Sequence, residues 1–496
     1  MLPGCPGYRE MEQLAIAHRA KSDKESVFIQ QVVNIGGTLP IPLKELCLET
    51  NGKKHYCLEV RAVAEYVLGR YPQKLLAGFS ADDFACFQSL LEEYWQCYKK
   101  IYQEHPVFED HKQELGRCIP IKLHSDEGTG LRKTAVYQFS WGPILSDGFE
   151  RGNSVLDELC SHLAAQAASM YREGLETPWF GKLYFVWCAH EGDLPAQARA
   201  YHCKRNFNCV PNPMCVWCSA DDSNVPYTDF RQQALWRTTL GDERPWTNPS
   251  PLTEIPGARS EQFLSKDLFH ICHLGIVRGF VINLICYLVH AGHFDSDLEE
   301  GGSIPAGLEQ AYREFRNFCR RIRETPMVKH FTRENLSWTS QHKYPECSFK
   351  GSDTRLLLLF LINFLEGPDI ALDDVMADAF LCAKSIQDFL SLVFSVRNPF
   401  LDRADALESL ALLNLWSEKY YHCARKCYDR GLCFFSLTPK YHYLMHVAFD
   451  VQKQLGVFDS SGLNRILNPA LFSTQMAEDH VGRSSRCAIC APCNYL

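Results

Sequence analysis

The sequence predicts a mixed α/β protein that is predominantly helical. Strand-like alternation of apolar and polar residues is confined to a stretch between about 113 and 240, whereas apolar residues recur at helical spacing through most of 255–450. The chain has 496 residues with 30 Phe, 21 Tyr and 9 Trp, which excludes a chain that stays disordered throughout. We expect four regions, which span residues 1–112, 113–250, 251–455 and 456–496.

The first region is predicted to be a helical accessory region. Residues 59–71 and 82–104 carry apolar side chains three and four positions apart, which places those side chains on one face of a helix. Residues 1–112 show no zinc-finger spacing and no basic arm. We therefore expect an accessory domain or cap, and no recognisable DNA-binding domain, in this region.

The second region is predicted to contain a sheet. Residues 118–124 alternate in the manner of a strand and lead into an acidic turn at 125–130. Residues 182–188 are apolar on both faces, as expected of a strand buried on both sides. Between these strands the sequence predicts two further strands, 134–139 and 141–145, and a helix at 154–173. The predicted order is therefore strand, strand, strand, helix, strand.

The third region is predicted to be almost entirely helical. The expected helices are 267–290, 308–324, 354–365, 372–396, 404–430 and 440–455, with a further short helix around 474–482 in the last region. The apolar run 271–289 is interrupted by His273, Arg278 and Asn283, and no uninterrupted run reaches the ~20 residues that cross a bilayer. We therefore expect no membrane span.

The cysteine content indicates a reducing compartment. The 23 cysteines are odd in number and scattered through apolar segments. The first residues lack the apolar stretch of a secretory signal, so we expect free thiols in the nucleus or cytosol rather than a disulfide framework. The net charge of −8 gives no general sign of a nucleic-acid partner, so any DNA contact would have to be local.

Two aspartates that follow predicted strands are candidates for a metal site. Asp126 follows the first strand and Asp193 follows the fourth. Ligands collect beyond the carboxyl ends of strands in open sheets, and paired carboxylates suit Mg²⁺ or Mn²⁺. Two such ions can activate an attacking oxygen and stabilise a leaving oxygen in phosphoryl transfer. The alternative is that both aspartates are turn residues, because Asp-Glu-Gly and Gly-Asp favour turns.

A Cys-x-x-Cys pair provides a second kind of candidate ligand. Cys215 and Cys218 have the spacing of zinc ligands, and a structural site needs two more. His202, Cys203 and Cys209 are close enough in sequence to supply them. The alternative is a buried thiol pair at the end of a loop.

Two histidine-containing pairs lie at helical spacing. His442 and His446 are one turn apart and can approach a metal or a phosphate, and Asp267 and His270 share a face that can orient a DNA phosphate or brace an active site. Hydrogen-bonded core histidines are the alternative for both pairs. No His-Glu-x-x-His zinc signature is present.

Local basic residues are the candidates for DNA contact. Lys204 and Arg205 lie near the second aspartate, and Arg313, Arg316 and Arg320 share one face of a predicted helix. Such a face can present a stripe that binds phosphates. The alternative is a solvated helix face.

Several short strings resemble, in this order, segments of eukaryotic DDE transposases of the Plavaka, Kyakuja-Dileera-Zisupton and hAT-like groups. The strings are Ile119-Pro-Ile-Lys-Leu-His-Ser-Asp-Glu127, Gly192-Asp-Leu-Pro195, Met214-Cys-Val-Trp-Cys218, Asp267-Leu-Phe-His270, Pro439-Lys-Tyr-His-Tyr-Leu-Met-His446 and Met476-Ala-Glu-Asp-His-Val-Gly-Arg483. The resemblance covers about residues 113–485. It implies a ribonuclease-H-like mixed sheet that is split by a long all-helical insertion.

The resemblance also implies a catalytic site. Asp126, Asp193 and Glu478 would be the Mg²⁺-binding carboxylates of an enzyme that cleaves and transfers DNA strands, and Asp267 is a rival for the third acid. DNA as a partner, a nuclear location and a homo-oligomer are compatible with this family. The alternatives are a degraded or domesticated copy, a non-catalytic helical interaction protein that keeps the fold, and an RNA-directed nuclease.

Overall fold

A computed structural model of the protein describes residues 41, 43–47, 54–79, 83–129, 135–143, 156–177, 179–207, 213–221, 224–294, 303–340, 342–368, 370–395, 399–456 and 464–474. Helices dominate these residues, and the strands among them form three small sheets. The structure confirms the predicted class, a mixed α/β protein that is predominantly helical.

The first described elements are a hairpin and three helices. Strand β1 (Leu43–Cys47) pairs antiparallel with β2 (Lys54–Leu58), and α1 (Val60–Arg70), α2 (Phe84–Lys99) and the single turn α3 (Val107–Asp110) follow. Helices α1 and α2 confirm the helices predicted at 59–71 and 82–104. The hairpin is not predicted by the sequence pattern.

Helix α2 is hydrogen-bonded to the central sheet. The indole N–H of Trp95 donates to the carbonyl oxygen of Cys118 at 2.8 Å, and the hydroxyl of Tyr98 donates to the carbonyl oxygen of Cys188 at 2.8 Å. Both aromatic side chains are buried. Because buried polar groups need partners, these bonds fix the register of α2 on the strands.

The central sheet has four strands in the order β4-β3-β6-β5. Its elements in chain order are β3 (Cys118–Thr129), β4 (Ala135–Pro143), α4 (Leu156–Arg172), β5 (Leu175–Thr177) and β6 (Gly181–Glu191). Strands β3 and β6 are parallel neighbours, whereas the other pairings are antiparallel. Helix α4 lies in the long connection that two parallel neighbouring strands require.

Two details of the predicted sheet are wrong. The acidic stretch 125–130 is predicted as a turn, but β3 continues through it to Thr129 because residues 125–129 pair with β4. The strands predicted at 134–139 and 141–145 are one strand, β4. A ladder of bonds to a partner strand therefore overrides the local turn preference of Asp-Glu-Gly. Within the described residues of the second region, two strands rather than three precede α4.

A long helical block follows the sheet. After the short helix α5 (Leu194–Ala200), loops and single 3₁₀ turns lead to a π-helical segment, Phe269–Ile276. The helices that follow are α6 (Val277–His290), α7 (Ile304–Arg321), α8 (Gly351–Leu365), α9 (Asp374–Ser395), α10 (Arg403–Asp429) and α11 (Pro439–Gly456). They confirm the helices predicted between 267 and 455.

A small two-stranded sheet closes the described chain. Strand β7 (Phe400–Asp402) pairs antiparallel with β8 (Arg465–Leu467). The guanidinium of Arg465 also forms an ion pair with Glu93 of α2 at 3.1 Å, and the Asn468 amide donates to the carbonyl oxygen of Val393 at 2.9 Å. Strand β8 and the residue that follows it therefore contact both helix α2 and the helical block.

Helix α6 is buried along most of its length. The amide of its one buried polar side chain, Asn283, donates to the carbonyl oxygens of Gly279 (2.7 Å) and Pro345 (3.1 Å), and its Oδ1 accepts from the Phe435 N–H (2.9 Å). Among the described residues, the segment Phe269–His290 is the one helix long and apolar enough to cross a membrane, and 78% of its most apolar part is buried inside the protein. Core helices share these features, and the absence of a membrane span stays a prediction.

Candidate functional site

The Cys-x-x-Cys pair and the His-x-x-x-His pair meet in the core. Cys215 and Cys218 lie in the loop 213–221 that follows the sheet, and His442 and His446 lie on consecutive turns of α11. All four residues are buried, and their ligand atoms lie within 4.8 Å of one another. Within the described residues, this is the one group of three or more Cys, His, Asp or Glu side chains with metal-ligand spacing.

The four ligand atoms face a common centre. The Sγ of Cys215 lies 3.3 Å from His446 Nε2, and the Sγ of Cys218 lies 3.3 Å from His442 Nε2 and 3.4 Å from His446 Nε2. The two Nε2 atoms are 3.0 Å apart. The four side chains therefore form a buried Cys₂His₂ cluster that can bind a metal such as zinc.

Neighbouring groups orient the cluster. The Nδ1 of His442 lies 3.0 Å from the carbonyl oxygen of Tyr227, so Nδ1 carries the proton and Nε2 presents its lone pair to the cluster. The Trp217 N–H donates to the Cys215 sulfur at 3.4 Å, and the ring of Trp236 packs against both imidazoles. These contacts hold the ligands in place and exclude water.

The protonation of the cluster suits metal binding. Burial lowers the pKa of His446 to about 4, so its imidazole is neutral at pH 7. Burial acts to raise the pKa of Cys215, but the hydrogen bond with Cys218 and the two histidines hold that pKa well below its ordinary value. Burial raises the pKa of Cys218, so zinc would have to displace the proton of that thiol on binding.

The sequence predicts the two Cys ligands but assigns their partners wrongly. The structure completes the cluster with His442 and His446 rather than His202 or Cys203, and Cys209 lies outside the described residues. Cys203 instead forms a β-bridge with Trp246. The sequence does contain a signal for these partners, because His442 and His446 are one helical turn apart. Spacing alone, however, does not reveal that His442 contacts Cys218, which lies 224 residues earlier.

The two predicted metal-binding aspartates lie at one edge of the central sheet. His124 of β3 pairs with Glu191 of the parallel strand β6. Asp126 and Asp193 each lie two residues beyond that pair, Asp126 still within β3 and Asp193 after the end of β6. Asp126 is inside β3 opposite Gln138 rather than after a strand, because β3 is longer than predicted.

Asp193 also begins a helix. It is the N-cap of α5, and its Oδ1 accepts a hydrogen bond from the Ala196 N–H at 2.7 Å. This bond satisfies one of the free N–H groups at the helix start and fixes the side chain. The interpretation of Asp193 as a turn residue is therefore correct as far as it goes. Because a carboxylate has about four acceptor positions, the cap leaves capacity for a cation.

A second acid at this edge is buried. Glu191 is 1% exposed, and its carboxylate forms an ion pair with Lys122 of β3 at 3.1 Å. Burial raises its pKa to about 7, Lys122 opposes the rise, and the carboxylate of Asp267 adds to it. Glu191 is not among the predicted site residues. An acid at the end of an apolar strand looks like an ordinary polar residue at a strand end, so the sequence does not indicate that it is buried.

Asp267 and His270 brace the end of the described chain. The Oδ2 of Asp267 is 2.6 Å from His270 Nδ1, and its Oδ1 accepts from the backbone N–H of Thr474 at 3.0 Å and of Phe269 at 2.9 Å. The Thr474 hydroxyl also bonds to Asp267. With both oxygens occupied by protein groups, Asp267 fits the predicted supporting role better than the rival role of third acid.

Helix α11 reaches this edge as well as the cluster. The side chain of Lys440, two residues before His442, is partly buried, and its ammonium donates to the carbonyl oxygen of Leu274 at 3.3 Å. Burial lowers the pKa of Lys440 to about 8 and Arg278 lowers it further, whereas Asp193 and Asp267 oppose the change. One helix therefore connects the Cys₂His₂ cluster with the acidic edge of the sheet.

The predicted DNA-contact residues divide into two groups. Arg313, Arg316 and Arg320 are exposed on one face of α7, as predicted, and Lys204 is exposed. Arg205 is wrong as a DNA contact: it is 3% exposed, and its guanidinium donates to the carbonyl oxygen of Glu243 at 2.6 Å. A buried arginine that satisfies a backbone carbonyl is a structural group.

Glu478 and the helix predicted around 474–482 lie outside the described residues, except for Thr474 itself. No protein-family model matches the chain, and no curated protein matches it significantly.

Proposed function

We propose that the chain derives from a DDE transposase, with a ribonuclease-H-like core split by the helical block, and that it cleaves and transfers DNA strands. Asp126, Asp193 and Glu478 would hold Mg²⁺ or Mn²⁺. The observation that carries the proposal is that Asp126 and Asp193 each follow, by two residues, the last paired residues of the parallel strands β3 and β6, His124 and Glu191. Open α/β sheets bind their ligands at this edge.

The connectivity of the sheet supports the proposed core. The transposase resemblance implies three strands, a helix and then a strand, with acids after the first and the fourth strand. In the described part of this region the order is β3, β4, α4, the short strand β5 and then β6, so one strand before α4 is missing and β5 is added. Strand β4 is the antiparallel neighbour of β3, and β6 is its parallel neighbour, as the two acids require.

The residues at this edge fit a hard divalent cation. Such ions prefer carboxylate oxygens, and Asp193 retains acceptor capacity beside its bond to Ala196. When bound, the cation supplies positive charge that activates an attacking oxygen and stabilises a leaving one. The neighbouring acids already contact other side chains, Glu191 the ammonium of Lys122 and Asp267 the imidazole of His270.

The proposed DNA contacts are local. The exposed face of α7 with Arg313, Arg316 and Arg320 would bind phosphates, and Lys204 lies on the loop after α5. A protein that acts on DNA would be located in the nucleus. The resemblance to transposases is compatible with a homo-oligomer. The free thiols of the described cysteines suit a reducing compartment such as the nucleus.

Nicking of supercoiled plasmid DNA by the full chain, with Mg²⁺ or Mn²⁺, tests the proposal. We expect Asp126→Asn and Asp193→Asn to slow nicking by at least about 100-fold, because each removes a negative ligand. Asn caps a helix as well as Asp does, so Asp193→Asn keeps α5 intact and isolates the loss of charge. Asp242→Asn, at an exposed aspartate in the loop region, is the control and should nick at the wild-type rate.

Two results would overturn the catalytic proposal. One is a wild-type chain, folded by circular dichroism, that nicks no DNA with either cation. The other is cation-dependent nicking that persists in both Asp→Asn variants. Either result would favour the non-catalytic alternative, a helical interaction protein that keeps the fold.

A further inference from the structure

The Cys₂His₂ cluster has a geometry that hydrogen bonds alone do not explain. The Nε2 atom of His446 lies 3.0–3.4 Å from three different partners, which are Cys215 Sγ, Cys218 Sγ and His442 Nε2. An imidazole nitrogen has either one proton or one lone pair, so it can satisfy only one of them. Three short contacts at one atom indicate that the groups surround a common point.

The spacing matches the edges of a metal tetrahedron. With metal–sulfur bonds of about 2.3 Å and metal–nitrogen bonds of about 2.0–2.1 Å, tetrahedral edges are about 3.3 Å for N···N and about 3.6 Å for S···N. The observed N···N separation is 3.0 Å and the S···N separations are 3.3–3.4 Å. A shift of a few tenths of an ångström in each ligand would accommodate the ion.

The charge of the cluster also suits a buried divalent ion. Zn²⁺ binds both cysteines as thiolates, with release of any proton that a thiol still carries, and the two thiolates balance the two positive charges. The complex is then neutral, so burying it in the apolar surroundings of Trp217 and Trp236 leaves no net charge unpaired. All four ligands come from the protein, which is typical of a structural rather than a catalytic site.

We propose that Cys215, Cys218, His442 and His446 bind one Zn²⁺ ion, and that this ion fastens the loop 213–221 to helix α11. The loop leaves the sheet through β6 and α5, whereas α11 belongs to the far end of the helical block, so the ion joins parts of the chain that are 224 residues apart. The zinc site stands whether or not the protein cleaves DNA.

Metal analysis of the full chain, purified without chelators from zinc-supplemented medium, tests the site. We expect about one zinc per chain, and replacement by Co²⁺ should give the visible absorption of tetrahedral cobalt and a thiolate charge-transfer band. Cys218→Ala and His442→Ala should reduce bound zinc to background. Cys188→Ala, at a buried cysteine outside the cluster, is the matched control and should keep one zinc.

A second experiment uses the wild-type chain, so it gives a result even if the variants fail to fold. Removal of zinc from the wild type by a strong chelator should lower the melting temperature and expose the loop 213–221 to protease, and added Zn²⁺ should reverse both effects. A wild-type chain that contains less than about a tenth of an equivalent of metal and takes up no Co²⁺ would overturn the site. Equimolar iron would overturn the choice of metal, and unchanged melting and cleavage after stripping would overturn the fastening role.

Discussion

Glu191 illustrates how a single buried acid couples folding to pH. Its carboxylate is enclosed at the end of β6, where burial raises its pKa to about 7 against an ordinary value of 4.5. The ion pair with Lys122 only partly offsets that burial. Because the folded state favours the protonated acid, the corresponding stability is present below about pH 4.5 and is lost as the pH rises through about 7.

Replacing Glu191 by Gln should make the protein more stable than the wild type at high pH. Gln stays neutral at every pH, whereas Glu191 becomes charged as the pH rises. The free energy of unfolding of the variant minus that of the wild type should therefore increase by up to about 3 kcal/mol from pH 5 to pH 8. Urea unfolding at both pH values measures the difference. The control is Glu176→Gln, at an exposed glutamate of β5, for which we expect a pH-independent difference. Parallel stability curves for wild type and Glu191→Gln would contradict the assignment.

At the scale of elements, the π-helical segment before α6 is tightly packed at Gly275. A Cβ on Gly275 would lie 2.4 Å from the Cδ of Lys440 and 2.6 Å from the carbonyl oxygen of His270. The neighbouring Gly279, in α6, has nothing within 4 Å of its would-be Cβ. The contact with Lys440 involves a flexible side chain that can shift, whereas the carbonyl oxygen of His270 belongs to the backbone of the segment itself and cannot move away without distorting it.

Alanine substitutions at these two glycines should have opposite effects. Gly275→Ala should destabilise the fold by about 1–3 kcal/mol because of overpacking, whereas Gly279→Ala should be neutral or stabilise it by up to about 1 kcal/mol because alanine favours helix. Chemical denaturation of both variants beside the wild type measures this. Equal effects of the two substitutions would show that the close approach of the His270 carbonyl oxygen and Lys440 to Gly275 does not limit the packing.

The sequence predicts well those elements whose own pattern of apolar and polar side chains determines their structure. Helix α7 buries Leu308, Phe315 and Phe318 and exposes its arginines, so its periodicity alone predicts it. The three-residue strands β5, β7 and β8 depend on partners elsewhere in the chain, and no local pattern marks them. The candidate site follows the same rule. The spacing of Cys215 and Cys218 is recognisable in the sequence, but their contact with α11 depends on the tertiary fold and has no local signal.

At the scale of the whole molecule, the charge distribution limits how DNA can bind. A chain of net charge −8 repels a polyanion overall, so the proposed contact depends on the exposed face of α7. Arg313 lies 3.2 Å from Glu309, and Arg320 lies 3.3 Å from the amide oxygen of Asn317. These contacts are exposed and weak, so phosphates can replace them.

A triple substitution of Arg313, Arg316 and Arg320 by Ala should weaken DNA binding at low salt. Removing one arginine–phosphate interaction should reduce the slope of log K against log salt by about 0.9, so the slope should fall by up to about 2.7 for all three. Fluorescence anisotropy with duplex DNA over a salt series measures it. Replacing Arg259, Lys384 and Arg425, which are exposed elsewhere, removes the same charge and should leave the slope nearly unchanged. Equal reductions in slope for both triple variants would exclude α7 as the binding face.

The separation of the metal ligands along the chain sets an order of events during biosynthesis. Cys218 is translated 224 residues before His442, which at about 5–20 residues per second is a delay of roughly 10–45 s. The two thiols emerge from the ribosome without their imidazole partners and must escape oxidation during that time. The Cys₂His₂ cluster can form only after α11 has been synthesised, so uptake of the metal ion would mark the completion of the helical block.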